Sequence, residues 1–199
     1  MYLPIEVIFK TKLFLLGLLV ISVAGLSACN ALDQFSPARR LAKAEEEMRT
    51  AKDDYWRMWP LGQAAMASVD VGDYGKARRY ADELLRLSHD LFPKDKPDAD
   101  GIHKGNLVLG RLALRAGNAP EAKAYLLESA RVGGSPALDS FGPNMILAKE
   151  LLDRGEREVV LEYFDLCGKF WEHGRDRLAE WKKQVEAGEI PDFGANMGY

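Results

Sequence analysis

The side chains best suited to metal or acid–base chemistry are three histidines, His89, His103 and His173, and they stand apart in the chain. No His-x-x-x-His or Cys-x-x-Cys spacing is present to hold zinc. A Gly-x-Ser-x-Gly nucleophile elbow and a phosphate loop are also missing. Asp98, Asp100 and Gly101 follow part of a calcium-loop pattern, but its first and last ligand positions fall on Lys96 and Leu107, which offer no oxygen. Asp192-Phe193-Gly194 lacks the companion loops of a kinase. Glu45 and Glu46 sit on a charged helical face and read as solvated. Cys167 reads as a small apolar core residue, with nothing near it in sequence to favour a thiolate. One chemical candidate remains, the connection GGSPALDSFGPN from Gly133 to Asn144. Backbone N–H groups at a helix start, with Ser135 and Ser140, would form an anion-binding loop. The structural account is sufficient and is preferred: the same composition stops one helix and starts another, with Ser140 or Gly142 as the cap and Pro143 in the first turn. These residues predict no catalytic centre, no metal and no cofactor.

The N-terminus carries a different kind of chemistry. Lys10 and Lys12 precede the apolar run Leu13 to Gly25, and Leu26-Ser27-Ala28-Cys29 follows it. A positive start, a short apolar stretch and small residues before a cut site describe a secretory signal. The run is short for a stable membrane span, which needs about 20 apolar residues. The Leu-Ser-Ala-Cys ending resembles the lipobox of bacterial lipoproteins. That resemblance implies cleavage before Cys29 and a covalent lipid on it, leaving residues 1–28 as signal and 29–35 as a lipidated tether. Attachment by more than one acyl chain is stable where a single chain is marginal. Asn30 is not the Asp that resembles an inner-membrane retention signal, which implies an outer-membrane location facing the periplasm. With Cys29 acylated, Cys167 has no intramolecular disulfide partner, since the chain has two cysteines. The formal net charge of −3 gives no electrostatic case for nucleic acid.

What remains is one domain's worth of chain, read as residues 36–190 with a tail at 191–199. Ser36-Pro37 marks the start of a largely charged helix with a narrow stripe of Leu41, Ala44, Met48 and Ala51, expected to cap the domain. Three helix hairpins are then predicted, each with a glycine turn. Asn106 to Ala130 turns at Gly117-Asn118, with Pro120 in the first turn of its second helix. Val71 to Leu84 aligns with it through Gly72, Asp73 and Ala77, and a third copy turns at Gly155 and continues through Val160, Phe164 and Cys167. In the first hairpin Pro60 must lie near the first turn or kink the helix, and Tyr55, Trp56 and Trp59 read as a core corner in preference to a ligand platform. Leu84, Ser88 and Leu91 are expected to face inward. A last helix with Leu178, Trp181 and Val185 on one face closes the array, and the tail folds back on it.

Leu109-Gly110 together with the Gly-Asp/Asn turn and the following Ala resembles the tetratricopeptide-repeat family, whose helix–turn–helix unit recurs every 34 residues or so. The resemblance covers roughly Trp56 to Trp171. Ala64-Ala65 and Val160 depart from the family pattern, and the turns at Gly72, Gly117 and Gly155 are spaced more widely, which implies longer connections. The fold class it implies is an all-α array of three hairpins with capping helices at both ends. In that family the first helices line a concave groove for peptide segments. The carried-over groove is Met66 and Val69, then Leu107, Arg111, Leu114 and Arg115, then Met145, Lys149 and Leu152, although each leucine reads equally as core. The family's set for clamping a terminal carboxylate is not matched. The expected function is therefore that of an envelope adaptor or scaffold binding another envelope protein or a peptide segment. Alternatives are a small-ligand-binding or enzymatic protein using residues 133–144, and a self-associating structural component. The oligomeric state stays open.

Overall fold

The computed structural model describes residues 36–198. The expected signal at 1–28, the tether at 29–35 with its lipidated Cys29, and Tyr199 lie outside the described residues. Among the described residues the chain is all-α, with no strand.

Local chemistry sets the helix starts. Ser36, with Pro37 after it, begins α1 (Pro37–Thr50). Asp53 begins α2 (Asp54–Asp70), Asp73 begins α3 (Tyr74–Asp90), Asp98 begins α4 (Ala99–Arg115) and Asn118 begins α5 (Ala119–Ala130). Each of these side chains accepts the N–H of the residue three positions on, satisfying a donor that the helix itself leaves unpaired. The chain continues through α6 (Pro136–Phe141), α7 (Ile146–Leu152), α8 (Arg157–Cys167) and α9 (Arg175–Glu186), with 3-10 turns at Glu172–Gly174 and Gly194–Met197.

The turns at Gly72, Gly117 and Gly155 are one structure repeated. Each glycine has φ near +80°, a region that costs other L residues a steric clash. In each, the residue after the glycine donates its N–H five residues back: Asp73 to Ser68, Asn118 to Ala113 and Glu156 to Leu151, at 2.9–3.0 Å. The glycine N–H itself bonds three residues back, to Val69, Leu114 and Leu152. This is the Schellman pattern, which satisfies the last carbonyls of a helix while reversing the chain.

The helices stack in register. α1 packs on α2, α2 on α4, and α4 on α7, while α3 reaches α4 and α5 reaches α8. Gly110 sits where α4 meets both α5 and α7 closely. A Cβ there would run into Leu147 of α7 and lie 3.1 Å from Tyr125 Cβ of α5. At the far end Tyr163, Phe164, Trp171 and Trp181 form an aromatic core, and Phe193 from the tail packs on Phe164 and Trp181 with ring centroids 6.2 and 5.0 Å away. Burying a large apolar side chain of this kind stabilises by roughly 1.5–3 kcal/mol, so the tail is fastened by its phenylalanine as well as by hydrogen bonds.

Several expectations need correction. Pro60 lies well inside α2, and the helix runs through it. Its missing N–H leaves the Trp56 carbonyl without the usual intrahelical donor. Tyr55, Trp56 and Trp59 are exposed and form no core corner. Leu91 caps α3 and is 43 % exposed. Neither Ser140 nor Gly142 starts a new helix. Ser135 caps the short α6, and α7 begins after Met145.

Candidate functional site

The groove carried over from the repeat resemblance is closed. Met66, Val69, Leu107, Leu114, Met145 and Leu152 are all buried apolar core residues. The physical reason is the position of α4. Helices on several sides cover it, so Gly105 through Leu114 has no wet face. Arg111 is buried as well and is already engaged. Its Nη2 lies 2.9 Å from Asp70 Oδ1 at the end of α2, and its Nε lies 3.1 Å from Glu150 Oε1 on α7. Arg115 adds a second contact to Glu150 at 2.7 Å, and Arg40 of α1 a second contact to Asp70 at 2.9 Å. Lys149 pairs one turn along its own helix with Asp153, at 2.9 Å. Arg40, Arg111 and Arg115 tie neighbouring helices together, whereas the Lys149 pair lies on the exposed surface of a single helix.

The expected anion-binding loop is also spent on structure. The Ser135 hydroxyl accepts the Leu138 N–H at 3.0 Å and caps α6, and Ser140 is exposed at the helix's far end. The two hydroxyls do not converge on a common point.

An open site lies at the other end of the same helices. Two adjoining hollows, of about 410 and 360 Å³, share Trp59, Asp100, Lys104 and Ala137 in their walls. Around them stand side chains with unusual exposure for their type: Tyr55 at 58 %, Trp56 at 63 %, Trp59 at 59 % and Phe141 at 80 %. Tyr55 meets Trp56 edge-on at 5.9 Å and Phe92 at 6.1 Å. Exposed aromatic clusters of this kind mark binding surfaces more often than they occur by chance on a wet face.

Lys104 is the centre of this region. Its Nζ sits 3.7 Å from the centroid of the Trp59 ring, a cation–π contact. Burial lowers its pKa to about 8, against the opposing pull of Asp100 and Asp98. Among the described residues no carboxylate lies within ion-pair distance of it. Asp98 is occupied by the Gly101 N–H at 2.9 Å, and burial pushes its pKa up.

Behind the larger hollow is a network that fixes its wall. His103 is fully buried, with Nδ1 2.8 Å from the Ser129 carbonyl and Nε2 accepting the Asn144 N–H at 3.0 Å. The second bond requires Nε2 to be unprotonated, so the proton sits on Nδ1 and the ring is neutral. Burial accordingly lowers its pKa to about 4. Asn144 also receives the Tyr163 hydroxyl at its carbonyl and donates its side-chain amide to the Gly198 carbonyl. Asn196 donates to the carbonyls of Phe141 and Pro143 and accepts the Met145 N–H at its own carbonyl. The connection 141–145 and the tail are thereby tied to each other and to α4.

Among the described residues no group of three His, Cys, Asp or Glu side chains is placed to hold a metal. Cys167 is buried in the aromatic core, and burial pushes its thiol pKa up, which makes it a poor nucleophile.

Reasoning from sequence missed Lys104 and misjudged Trp59, yet a signal was present. Met58, Leu61 and Ala65 share one face of α2 and are buried, so Tyr55 and Trp59, spaced four apart, must lie together on a different face. Compared with family models, with curated proteins and with solved structures, the chain matches none.

Proposed function

We propose that the chain is a tetratricopeptide-like helical-repeat module, anchored by a lipid on Cys29 to the periplasm-facing side of an outer membrane, where it serves as an adaptor or scaffold for another envelope protein. In this reading it binds and does not catalyse. The repeat assignment is supported by the three identical glycine turns and by the stacking of α2, α4 and α7. The binding role rests on one observation above all: Tyr55, Trp56, Trp59 and Phe141 stand exposed around adjoining hollows. Aromatic anchors of this type supply contact area at low conformational cost and dominate interface energetics.

The test uses a photo-crosslinking amino acid in place of Trp56, in the full-length protein in native envelopes. A discrete adduct with one envelope protein is expected, absent when the probe replaces the exposed Arg79 on α3 and reduced by a Trp59→Ala change. A probe at position 56 that gives no adduct, or the same pattern as position 79, removes this surface from consideration. The anchor is tested separately. Cys29→Ala should abolish lipid labelling and membrane association, and a variant that stays fully membrane-bound and unprocessed would instead point to an uncleaved membrane helix.

A second reading, small-ligand binding, gains support from one feature. Ala137, Leu138 and the run from Phe141 to Asn144 form a wall of the larger hollow.

A further inference from the structure

We propose that the hollow beside Lys104 is a binding site for a small amphipathic monocarboxylate, a ligand with an apolar body and one anionic head. The inference stands apart from the adaptor reading, because it requires neither a protein partner nor a membrane anchor.

The volume, about 410 Å³, falls in the range of small-molecule sites. Its walls supply an apolar surface through Trp59, Leu138, Phe141 and Pro143. The polar groups in those walls are mostly committed already. Both ring nitrogens of His103 are bonded, and the side-chain amides of Asn144 and Asn196 are donated to backbone carbonyls. Lys104 differs. Its ammonium touches an aromatic face and, among the described residues, has no hydrogen-bond acceptor of its own. A partly desolvated cation in an apolar wall gains most from a single carboxylate, through a charge-assisted hydrogen bond strengthened by exclusion of water.

The charge of the ligand is constrained too. Asp100 lines the same hollow one helical turn before Lys104 and acts on it through its charge. Its negative field offsets part of the lysine's, so one anionic charge is tolerated and a dianion is penalised. The groups facing Lys104 are Asp98, Asp100 and the neutral His103 on its own helix, Tyr55 and Trp59 from α2, and the uncharged Asn144 and Asn196 from the connection and tail. Burial places the lysine pKa at about 8, so the attraction holds at neutral pH and weakens as pH rises past that value.

Isothermal titration calorimetry with the intact chain, using decanoate, decanol and decylamine below their aggregation limits, tests the proposal. Decanoate is expected to bind at one site per chain and about tenfold more tightly than decanol, with decylamine weaker than both. Lys104→Met should erase the preference for decanoate over decanol while the apolar body still binds, and Lys104→Arg should restore it. Asp100→Asn should shift decanoate affinity the opposite way, toward tighter binding. Circular dichroism confirms that each variant is folded. Equal affinity for decanoate and decanol, an undiminished preference in Lys104→Met, or no binding at all would overturn the assignment. None of these outcomes bears on photo-crosslinking at position 56, so the two readings fail separately.

Discussion

The two ends of α4 carry the same kind of residue, a basic side chain on a helix packed between neighbours, and treat it in opposite ways. Toward the C-terminal end, Arg111 is closed in by Asp70 and Glu150, with Arg115 and Arg40 completing the set. Toward the N-terminal end, Lys104 rests on Trp59 with no carboxylate against it, in a hollow rimmed by exposed rings. One end spends its charge on joining three helices, and the other leaves it for something outside the chain. Arginine suits the first task because its planar fork can address two carboxylates at once, whereas lysine presents a point charge on a flexible stem.

The contrast can be broken from the closed end with the largest effect. Arg111→Met removes two charge-assisted hydrogen bonds, leaving Asp70 with Arg40 alone and Glu150 with Arg115 alone, and the stability loss should be about 3 kcal/mol, read as a lowered urea midpoint. Binding of decanoate should persist in conditions where the variant is folded. If the variant is as stable as the parent, the ion network does not join the helices.

Next in size is a pH effect from His103. Its folded pKa is about 4 against an ordinary 6.5, so the unfolded chain takes up a proton first as pH falls. The stability this group contributes is fully present above pH 6.5 and is lost as pH drops toward 4. The expected loss is on the order of 3 kcal/mol, measured by denaturant titration at a series of pH values. In His103→Gln the slope over that interval should be markedly flatter.

Asn196→Ala comes third. Removing its amide leaves the Phe141 and Pro143 carbonyls without their donor, at a cost of about 1–2 kcal/mol. Hydrogen exchange should quicken at Met145, and decanoate should bind more weakly although Lys104 is untouched.

The smallest effect on stability belongs to Lys104→Met at the open end. Deleting a desolvated cation that lacks an ionic partner should change stability by less than about 1 kcal/mol, in either direction. A large loss there would place Lys104 among the structural cations, with Arg111.

Much of the helical plan can be read from the amino acids, because the signals are local. Asp73 and Asn118 announce caps, Gly72, Gly117 and Gly155 announce turns, and Ala77, Ala81 and Leu84 announce a buried stripe. The groove was misplaced for a reason the chain also contains. The stretch GNLVLGRLAL from Gly105 to Leu114 is apolar on every side apart from Asn106 and Arg111, and a helix apolar nearly all round is buried. Aligning it with a repeat pattern gives the register of its residues, not which of them are wet. The hollow itself was out of reach, because its walls are joined by contacts such as Asn144 to His103, 41 residues apart, and Asn196 to Phe141, 55 apart. No periodicity encodes pairings of that kind.

The tie between Asn196 and the 141–145 connection has a consequence in time. Glycine-turned helix pairs close over short stretches of chain, and short-range contacts form early and fast. The hollow requires Trp59, Lys104 and Asn196 together, so it is finished only after nearly the whole described chain has collapsed. A folding intermediate with helices formed and the tail undocked would have most of its circular dichroism and no site. The site's appearance would then be the slow step to follow, and a ligand added during refolding would report when the last residues arrive.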